Sequence, residues 1–180
     1  MKHKLTIGLD LSINSTGICI NRENSEPIYY IIVPALTKKM KTINDLKHSR
    51  ITHLEYVKSH KDIKHNIKAI SKKICEILKD FERDIDYVVI EDVAMRANGN
   101  SIIDLTLLNG YIRCELDHMN IPYKSTVPTQ WKKQLLGNGQ AKKDLTIYHW
   151  GRLDMDACQQ MMSHNCKCDD IADAYFLSQI

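Results

Sequence analysis

A run of four apolar residues, Tyr87 to Ile90, stands between two acids in the middle of the chain. A short run that is apolar at every position and bounded by acids is typical of a strand buried on both faces, as in a sheet covered by helices. Apolar residues at spacings of three and four predict amphipathic helices on either side of it, at 62–81 and 101–119. The centre of the chain therefore predicts an α/β fold.

The remaining chain adds strands before this run and helices after it. An alternating segment predicts a first strand that ends at Asp10 and, after a polar turn, a second strand around Ile18. Further strands are predicted at 28–33 (stopped by Pro34), 51–57 and 121–127, and further helices at 128–136, 141–152 and 170–180. This order indicates a mixed sheet flanked by helices.

The whole chain, residues 1–180, is expected to form a single domain, because its length suffices for one core and no linker or repeat divides it. A basic insertion or arm is predicted at about 37–61. The stretch 38–65 contains eight Lys and Arg residues against three acids, and four of the eight histidines. Such a segment is either a solvated surface or an arm that contacts phosphates.

Composition limits the location and the partners. No apolar run approaches the roughly 18 residues that span a bilayer, and the start lacks a long apolar stretch with a cleavage site. We therefore expect a cytoplasmic protein, of a bacterium or of an infected host cell, with no membrane partner. The net charge of +3 says little about nucleic acid by itself. The excess of Lys over Arg favours contacts to a DNA backbone over base reading.

A group of soft metal ligands, Cys158, His164, Cys166 and Cys168, lies near the end of the chain. Their spacing is not a usual zinc spacing, and the two thiols of Cys-x-Cys point in opposite directions in an extended segment. The six cysteines are therefore interpreted as reduced, mostly buried thiols. Zinc binding by this group remains a minor alternative.

The candidate functional residues of the chain are acids at the ends of predicted strands and on the last helix. Asp10 ends the first strand and Glu91 ends the central one, so their carboxylates converge if the two strands are neighbours. On the last helix Asp170 and Asp173 share a face, and so do Asp169 and Asp173, so the pattern leaves both pairings open. Taken singly, Asp10 also fits a turn residue and Glu91 an exposed strand end. Asp169 or Asp170 also fits a helix N-cap.

Taken together, four converging carboxylates repel one another unless cations lie between them. Oxygen ligands suit Mg²⁺ or Mn²⁺, and not zinc. Two such ions about 4 Å apart stabilise both the attacking and the leaving oxygen of a phosphodiester displacement. The set predicts a nuclease in which a metal-activated water hydrolyses the bond without a protein nucleophile.

Three segments carry these acids: Ile7-Gly8-Leu9-Asp10-Leu11-Ser12 with Gly17, then Val88-Val89-Ile90-Glu91-Asp92-Val93, then Asp170-Ile171-Ala172-Asp173-Ala174. In order and spacing they resemble the acidic motifs of RuvC-type Holliday junction resolvases, which belong to the ribonuclease H-like superfamily. The stretch from Gln130 to Lys143 resembles the basic region before the last motif of that family. The likeness runs from Leu5 to about Leu177. It implies a ribonuclease H-like mixed five-stranded sheet flanked by helices.

The resemblance implies a crossover junction endodeoxyribonuclease that cuts branched DNA, a four-way junction, by paired nicks. The catalytic residues, which would bind two Mg²⁺ or Mn²⁺ ions, would be Asp10, Glu91, Asp170 and Asp173. The DNA-binding residues would be basic members of the region before the last motif, namely Lys132, Lys142 and Lys143. The helix at 101–119 would help to form a homodimer, which suits two symmetric cuts.

The chain also departs from the family pattern. Asp92, next to Glu91, competes as a possible metal ligand, and Ala94 stands where bacterial members often have an aromatic residue that stacks on a junction base. These departures look more like a phage or viral branch. Two alternative functions stay open: another ribonuclease H-like nuclease, acting on RNA–DNA hybrids or flaps, and a module that binds branched DNA without cutting it.

Overall fold

The computed structural model describes residues 4–35, 52–58, 62–93, 100–163 and 168–180. Within these ranges the strands are β1 (Leu5–Asp10), β2 (Thr16–Arg22), β3 (Ile28–Ala35), β4 (Thr52–Lys58), β5 (Ile85–Glu91) and β6 (Tyr123–Thr126). The helices are α1 (Ile63–Phe81), α2 (Asn100–His118), α3 (Pro128–Leu136), α4 (Lys143–Leu153), α5 (Met155–Ser163) and α6 (Cys168–Leu177). None of these described helices has both the length and the apolar character that a bilayer crossing needs.

The described strands form one sheet in the order β4-β3-β2-β1-β5-β6. The pairs β1–β2 and β2–β3 are antiparallel, whereas β1–β5, β5–β6 and β3–β4 are parallel. The predicted mixed sheet is confirmed, but it has six strands instead of five. The sixth strand is β4, which corresponds to the strand predicted at 51–57; it pairs with β3 at one edge of the sheet and lies inside the predicted arm at about 37–61. Residues 37–51 and 59–61 of that arm lie outside the described residues.

Side chains of the central strand alternate between two apolar cores, one on each face of the sheet. Val88 and Ile90 join the core that contains α1 and α2, while Val89 between them joins the core that contains α3 to α6. All three side chains are fully buried. The prediction of a strand covered on both faces is therefore confirmed.

The helix ends follow from local chemistry. α1 begins where the Asp62 side chain accepts a hydrogen bond from the Lys64 backbone N–H at 3.0 Å. α3 begins with Pro128 in its first turn and ends before Gly137, whose φ of 72° is left-handed. The five helices predicted from periodicity correspond to α1, α2, α3, α4 and α6, with small shifts at their ends.

Two local predictions are wrong. β3 does not stop at Pro34 but continues to Ala35. Since β2 pairs with β3 only as far as Ile32, the missing N–H of the proline leaves no partner unsatisfied on that edge. Helix α5 is absent from the prediction, although Asp154 caps it by accepting a hydrogen bond from the Ala157 N–H at 3.1 Å.

Helix α6 lies directly on the backbones of β1 and β2, because two glycines leave no side chain in the way. A Cβ at Gly8 would lie 2.0 Å from the Ala174 carbonyl oxygen, and a Cβ at Gly17 would lie 2.1 Å from that of Asp170. Both distances are far below van der Waals contact. This close approach fixes α6, and the acids that it carries, against the two strands.

Candidate active site

Asp10 and Glu91 end two neighbouring strands at the same edge of the sheet. β1 and β5 run parallel, and Leu9 lies opposite Ile90, so the two acids are the next residues on adjacent strands. Both acids are partly buried. The condition for their convergence, that the two strands be neighbours, is therefore met.

Helix α6 brings two further acids to this edge. Asp170 is buried and Asp173, one turn later, is partly buried. The Asp170 carbonyl approaches Gly17, which pairs with Asp10 across β1 and β2. The charges of Asp170 and Asp173 both act on Asp10, as does the charge of Glu91. These four residues, which we call the acidic cluster, are thus brought together by two strands and one helix.

The negative charges of the acidic cluster repel one another, and burial adds to the cost of ionising these acids. Burial raises the pKa of Asp10 well above its usual range, and repulsion by the other three acids raises it further, whereas Lys143 lowers it. Burial likewise raises the pKa of Asp173 to about 7, against the opposing effect of Lys132. Protons or cations must therefore offset the negative charge at this edge.

Glu91 is held from two sides. The indole Nε1 of Trp131 donates a hydrogen bond to Glu91 Oε1 at 2.7 Å, and Asn109 Nδ2 donates to the Glu91 backbone carbonyl at 3.2 Å. Burial raises the pKa of the Glu91 carboxyl, while the Trp131 hydrogen bond and then Lys132 and Lys143 oppose that rise. The end of β5 is therefore restrained by both α2 and α3.

Two of the three predicted DNA-binding lysines lie at the acidic cluster. Lys143, the first residue of α4, donates to Asp169 Oδ2, and this hydrogen bond raises the pKa of Lys143. The Lys132 Nζ lies 5.0 Å from the ring centre of Trp131. Lys142 is exposed at the N-cap of α4, where its backbone carbonyl accepts a hydrogen bond from Thr146 Oγ1 at 3.4 Å.

Asp92 and Asp169, the two acids that the pattern left as alternatives, each have a basic partner. Asp92 Oδ1 accepts a hydrogen bond from Arg113 Nη2, and Arg113 Nε donates to Asn109 Oδ1 at 2.6 Å. Asp169 Oδ2 accepts from Lys143. Both carboxylates therefore already have a neutralising ion pair.

Sequence reasoning did not identify the roles of Trp131, Asn109 and Arg113. The helical pattern predicts only that Trp131 lies in a helix, but a buried indole N–H needs an acceptor, and that requirement points to a nearby acid. Asn109 and Arg113 are four apart on α2, which makes them neighbours. Their spacing carries no signal about the acids that they contact.

The donor set fits a hard divalent cation, because the acidic cluster offers only carboxylate oxygens. Asp173 Oδ1 is buried, and no described residue donates a hydrogen bond to it, so an acceptor remains for a cation. In the part of the chain that the structure describes, no three His, Cys, Asp or Glu side chains are already gathered as a metal-binding group. The four carboxylates thus lie at one edge of the sheet without forming a closed coordination group.

The group of soft ligands near the end of the chain is only partly described. Cys158 in α5 and Cys168 in α6 are buried, whereas His164 and Cys166 lie outside the described residues. Burial raises the pKa of the Cys158 thiol, which disfavours the thiolate that a metal requires. Of the five described cysteines, four are buried and Cys114 is exposed, as the interpretation of mostly buried thiols expects.

The raised pKa of Asp173 predicts how stability depends on pH. Between its ordinary pKa of 3.8 and its folded pKa of about 7, the folded state holds a proton that the unfolded state releases. Stability without divalent cations should therefore fall as pH rises through this window, by at most about 1.4 kcal/mol per pH unit for this carboxyl. Urea unfolding in EDTA at pH 5 and pH 8 measures the fall.

Two comparisons make that measurement specific. Asp173→Asn should flatten the pH dependence, and Mg²⁺ should restore stability at pH 8, because a cation replaces the proton. A stability that rises from pH 5 to pH 8 in EDTA would contradict the burial of these charges.

The strand order and the helices on both faces of the sheet are those of a ribonuclease H-like fold. The family model described as "Crossover junction endodeoxyribonuclease RuvC" matches residues 47–177. The chain therefore belongs to the RuvC family, and the resemblance noted from its motifs is confirmed. The matched region begins after Asp10 and contains the other three acids.

A curated relative is the crossover junction endodeoxyribonuclease RuvC of Hydrogenovibrio crunogenus. It is 32% identical to this chain over 78 residues, which cover 43% of this chain and 44% of the relative. The chain thus matches less than half of the length of that relative.

Solved structures with similar folds include two of Thermus thermophilus RuvC. One has a TM-score of 0.57 at 16% identity, covering 97% of this chain and 90% of that chain. The other, in complex with Holliday junction substrate, has a TM-score of 0.65 at 14% identity, covering 98% and 90%. The yeast mitochondrial Holliday junction resolvase Ydc2 has a TM-score of 0.56 at 14% identity, covering 98% and 77%. These similarities confirm the predicted fold class.

Proposed function

We propose that this protein is an endodeoxyribonuclease that hydrolyses phosphodiester bonds in branched DNA and resolves four-way junctions by paired nicks. The observation that carries the proposal is the acidic cluster at one edge of the sheet, built from adjacent strand ends and a helix packed on glycines. A fold alone does not select an activity. Membership of the RuvC family supports this one, because the model of the family is that of a crossover junction endodeoxyribonuclease.

The acidic cluster, Asp10, Glu91, Asp170 and Asp173, would hold two Mg²⁺ or Mn²⁺ ions, because carboxylate oxygens suit hard cations. When bound, such ions supply an activated water and neutralise charge on the attacking and leaving oxygens. Lys132 and Lys143 add positive charge beside the same carboxylates. We infer that these lysines stabilise the negative charge that grows on the phosphate during displacement.

The basic residues of α3 and α4 are suited to a DNA backbone. Lys143 pairs with Asp169, yet its side chain is 68% exposed, so a phosphate can reach its ammonium group. Lys142 is exposed directly beside it. Lysine makes diffuse contacts to phosphate, and we infer that Lys132, Lys142 and Lys143 hold the strand next to the carboxylates that cut it.

Helix α2 has an apolar stripe that no described residue covers. Ile103, Leu107 and Tyr111 are 59%, 42% and 51% exposed, and they repeat every four residues on one face. Leu108 and Ile112, on the adjoining face of the helix, pack into the core. We infer that the exposed stripe is the two-fold interface of a homodimer, because two symmetric cuts need two symmetric active sites.

Replacing Leu107 by Glu is expected to leave the fold intact and to break the homodimer. The new carboxylate would be buried unpaired in the interface, which costs several kcal/mol and corresponds to about 10²-fold or more in the dimer dissociation constant. Sedimentation velocity at micromolar concentration should give half of the wild-type mass. Leu153→Glu is the matched control, because Leu153 is also exposed, on α4. A dimer that persists in the Leu107 variant would contradict the interface.

Cleavage of a labelled four-way junction in Mg²⁺, beside duplex, flap and RNA–DNA substrates, tests the proposed function. Paired nicks at symmetric positions in the junction are the expected result. Preferential cutting of the RNA–DNA hybrid or the flap would instead identify another ribonuclease H-like nuclease. Binding of the junction without any cutting would identify a binding module.

A further inference from the structure

The two tryptophans of the chain are both fully buried, and each needs an acceptor for its indole N–H. Trp150 donates to the hydroxyl of Tyr29 at 3.3 Å. Trp131 instead donates to Oε1 of Glu91 at 2.7 Å. The two residues are therefore a matched pair, of which only Trp131 touches the acidic cluster.

The ring of Trp131 is held in place independently of Glu91. It belongs to α3, whose ends are set by a proline in the first turn and a left-handed glycine after the last. It also stacks on Phe176 of α6, with 6.0 Å between ring centres and 18° between ring planes. Because α6 carries Asp170 and Asp173, the indole N–H is oriented relative to the helix that supplies the other acids.

Glu91 benefits from such a restraint. Its side chain has more rotatable bonds than that of an aspartate, and fixing those bonds costs entropy. Repulsion between Glu91 and Asp10 also favours rotamers that point Glu91 away from the acidic cluster. The hydrogen bond from Trp131 holds Oε1, while the other oxygen, Oε2, accepts no hydrogen bond from the described residues.

We propose that Trp131 is a positioning residue that fixes the rotamer of Glu91 and leaves Oε2 to bind the metal ion. The inference rests on the proposed function, because it takes Glu91 as a metal ligand. Residues that hydrogen-bond a metal ligand, without contacting the metal themselves, commonly contribute about 10- to 100-fold in metal affinity or activity. Trp131 acts through Glu91 and does not itself contact the substrate.

Tryptophan fluorescence during a Mg²⁺ titration tests this inference directly. Trp150→Phe leaves Trp131 as the only tryptophan, and its emission is expected to change as Mg²⁺ binds beside its hydrogen-bond partner. Trp131→Phe leaves only Trp150, whose partner is Tyr29, and the response is expected to be lost. Phenylalanine keeps an aromatic ring but has no N–H, and circular dichroism checks that each variant is folded.

Cleavage at varied Mg²⁺ concentrations separates positioning from packing. Trp131→Phe is expected to raise the Mg²⁺ concentration for half-maximal cleavage by about 10-fold or more, with the rate recovering at saturating Mg²⁺. Its affinity for the junction without Mg²⁺ should match that of Trp150→Phe, which keeps the wild-type Mg²⁺ requirement. If Trp131→Phe lowers junction affinity and cleavage alike at every Mg²⁺ concentration, Trp131 serves packing and the proposal is wrong.

The fluorescence of Trp150→Phe decides the question even if Trp131→Phe does not fold. An emission that stays constant at Mg²⁺ concentrations where this variant cuts the junction would overturn the role of Trp131 and leave the proposed function standing. A wild-type protein that neither responds to Mg²⁺ nor cuts any branched substrate would overturn both.

Discussion

Replacing Asp10 by Asn is expected to reduce cleavage of a four-way junction by about 10³-fold or more, while junction binding stays equal or becomes tighter. Asp10 ends β1 among three other acids that act on its charge, and an amide in its place cannot balance a divalent cation. Loss of one negative charge also reduces repulsion towards the phosphates. Single-turnover cleavage of a labelled junction in Mg²⁺ measures the first effect, and a gel shift in EDTA measures the second.

Matched variants test whether the effect belongs to the acidic cluster. Glu91→Gln and Asp173→Asn should behave like the Asp10 variant. Asp80→Asn makes the same chemical change at an exposed position of α1, and it should cut like the wild type. Full activity in the Asp10 variant would contradict the assignment of these acids.

A single methyl group at Gly17 is expected to lower the free energy of unfolding by about 3 kcal/mol or more, at the upper end of what overpacking usually costs. The Cβ of alanine would lie 2.1 Å from the Asp170 carbonyl oxygen and 2.6 Å from its carbonyl carbon. These are backbone atoms, so α6 itself must shift. Because misplacing a catalytic group by about 1 Å costs about 10²-fold in rate, cleavage should fall in the molecules that remain folded.

Urea unfolding and single-turnover cleavage of Gly17→Ala measure the two effects. Ile20→Val is the control, since Ile20 lies in the same strand but packs in the core with α1 and α2. This change removes one methyl group, should cost about 1 kcal/mol, and should leave cleavage intact. If Gly17→Ala is as stable as the wild type, α6 does not lie on the backbone of β2.

The central strand and the acids were predictable because each depends on a local pattern. The apolar run from Tyr87 to Ile90 identifies a strand covered on both faces, and an acid at the end of a strand is visible in the sequence. That Asp10 and Glu91 end neighbouring strands follows from the pairing of β1 with β5. The sequence suggested that pairing only through the family likeness.

Other features depend on contacts between distant segments, and periodicity does not report them. A strand was predicted at 51–57, but its own sequence does not show that it pairs with β3 at the edge of the sheet. The ion pair between Lys143 and Asp169 also joins two distant segments, and the helical pattern of α6 does not report it. The sequence predicts only that Trp131 lies in a helix. Its hydrogen bond to Glu91 is visible only in the structure.

The contact between β1 and α6 also determines when the acidic cluster can form during folding. β1 is the first described strand and α6 the last described helix, yet Gly8 and Ala174 touch directly. Contacts between segments so far apart in the chain form late, because closing a long loop costs entropy before the contact stabilises it. Asp170 and Asp173 are carried by α6, so they can join Asp10 and Glu91 only after α6 has packed on β1 and β2. The acidic cluster is therefore completed by one of the last contacts that folding makes.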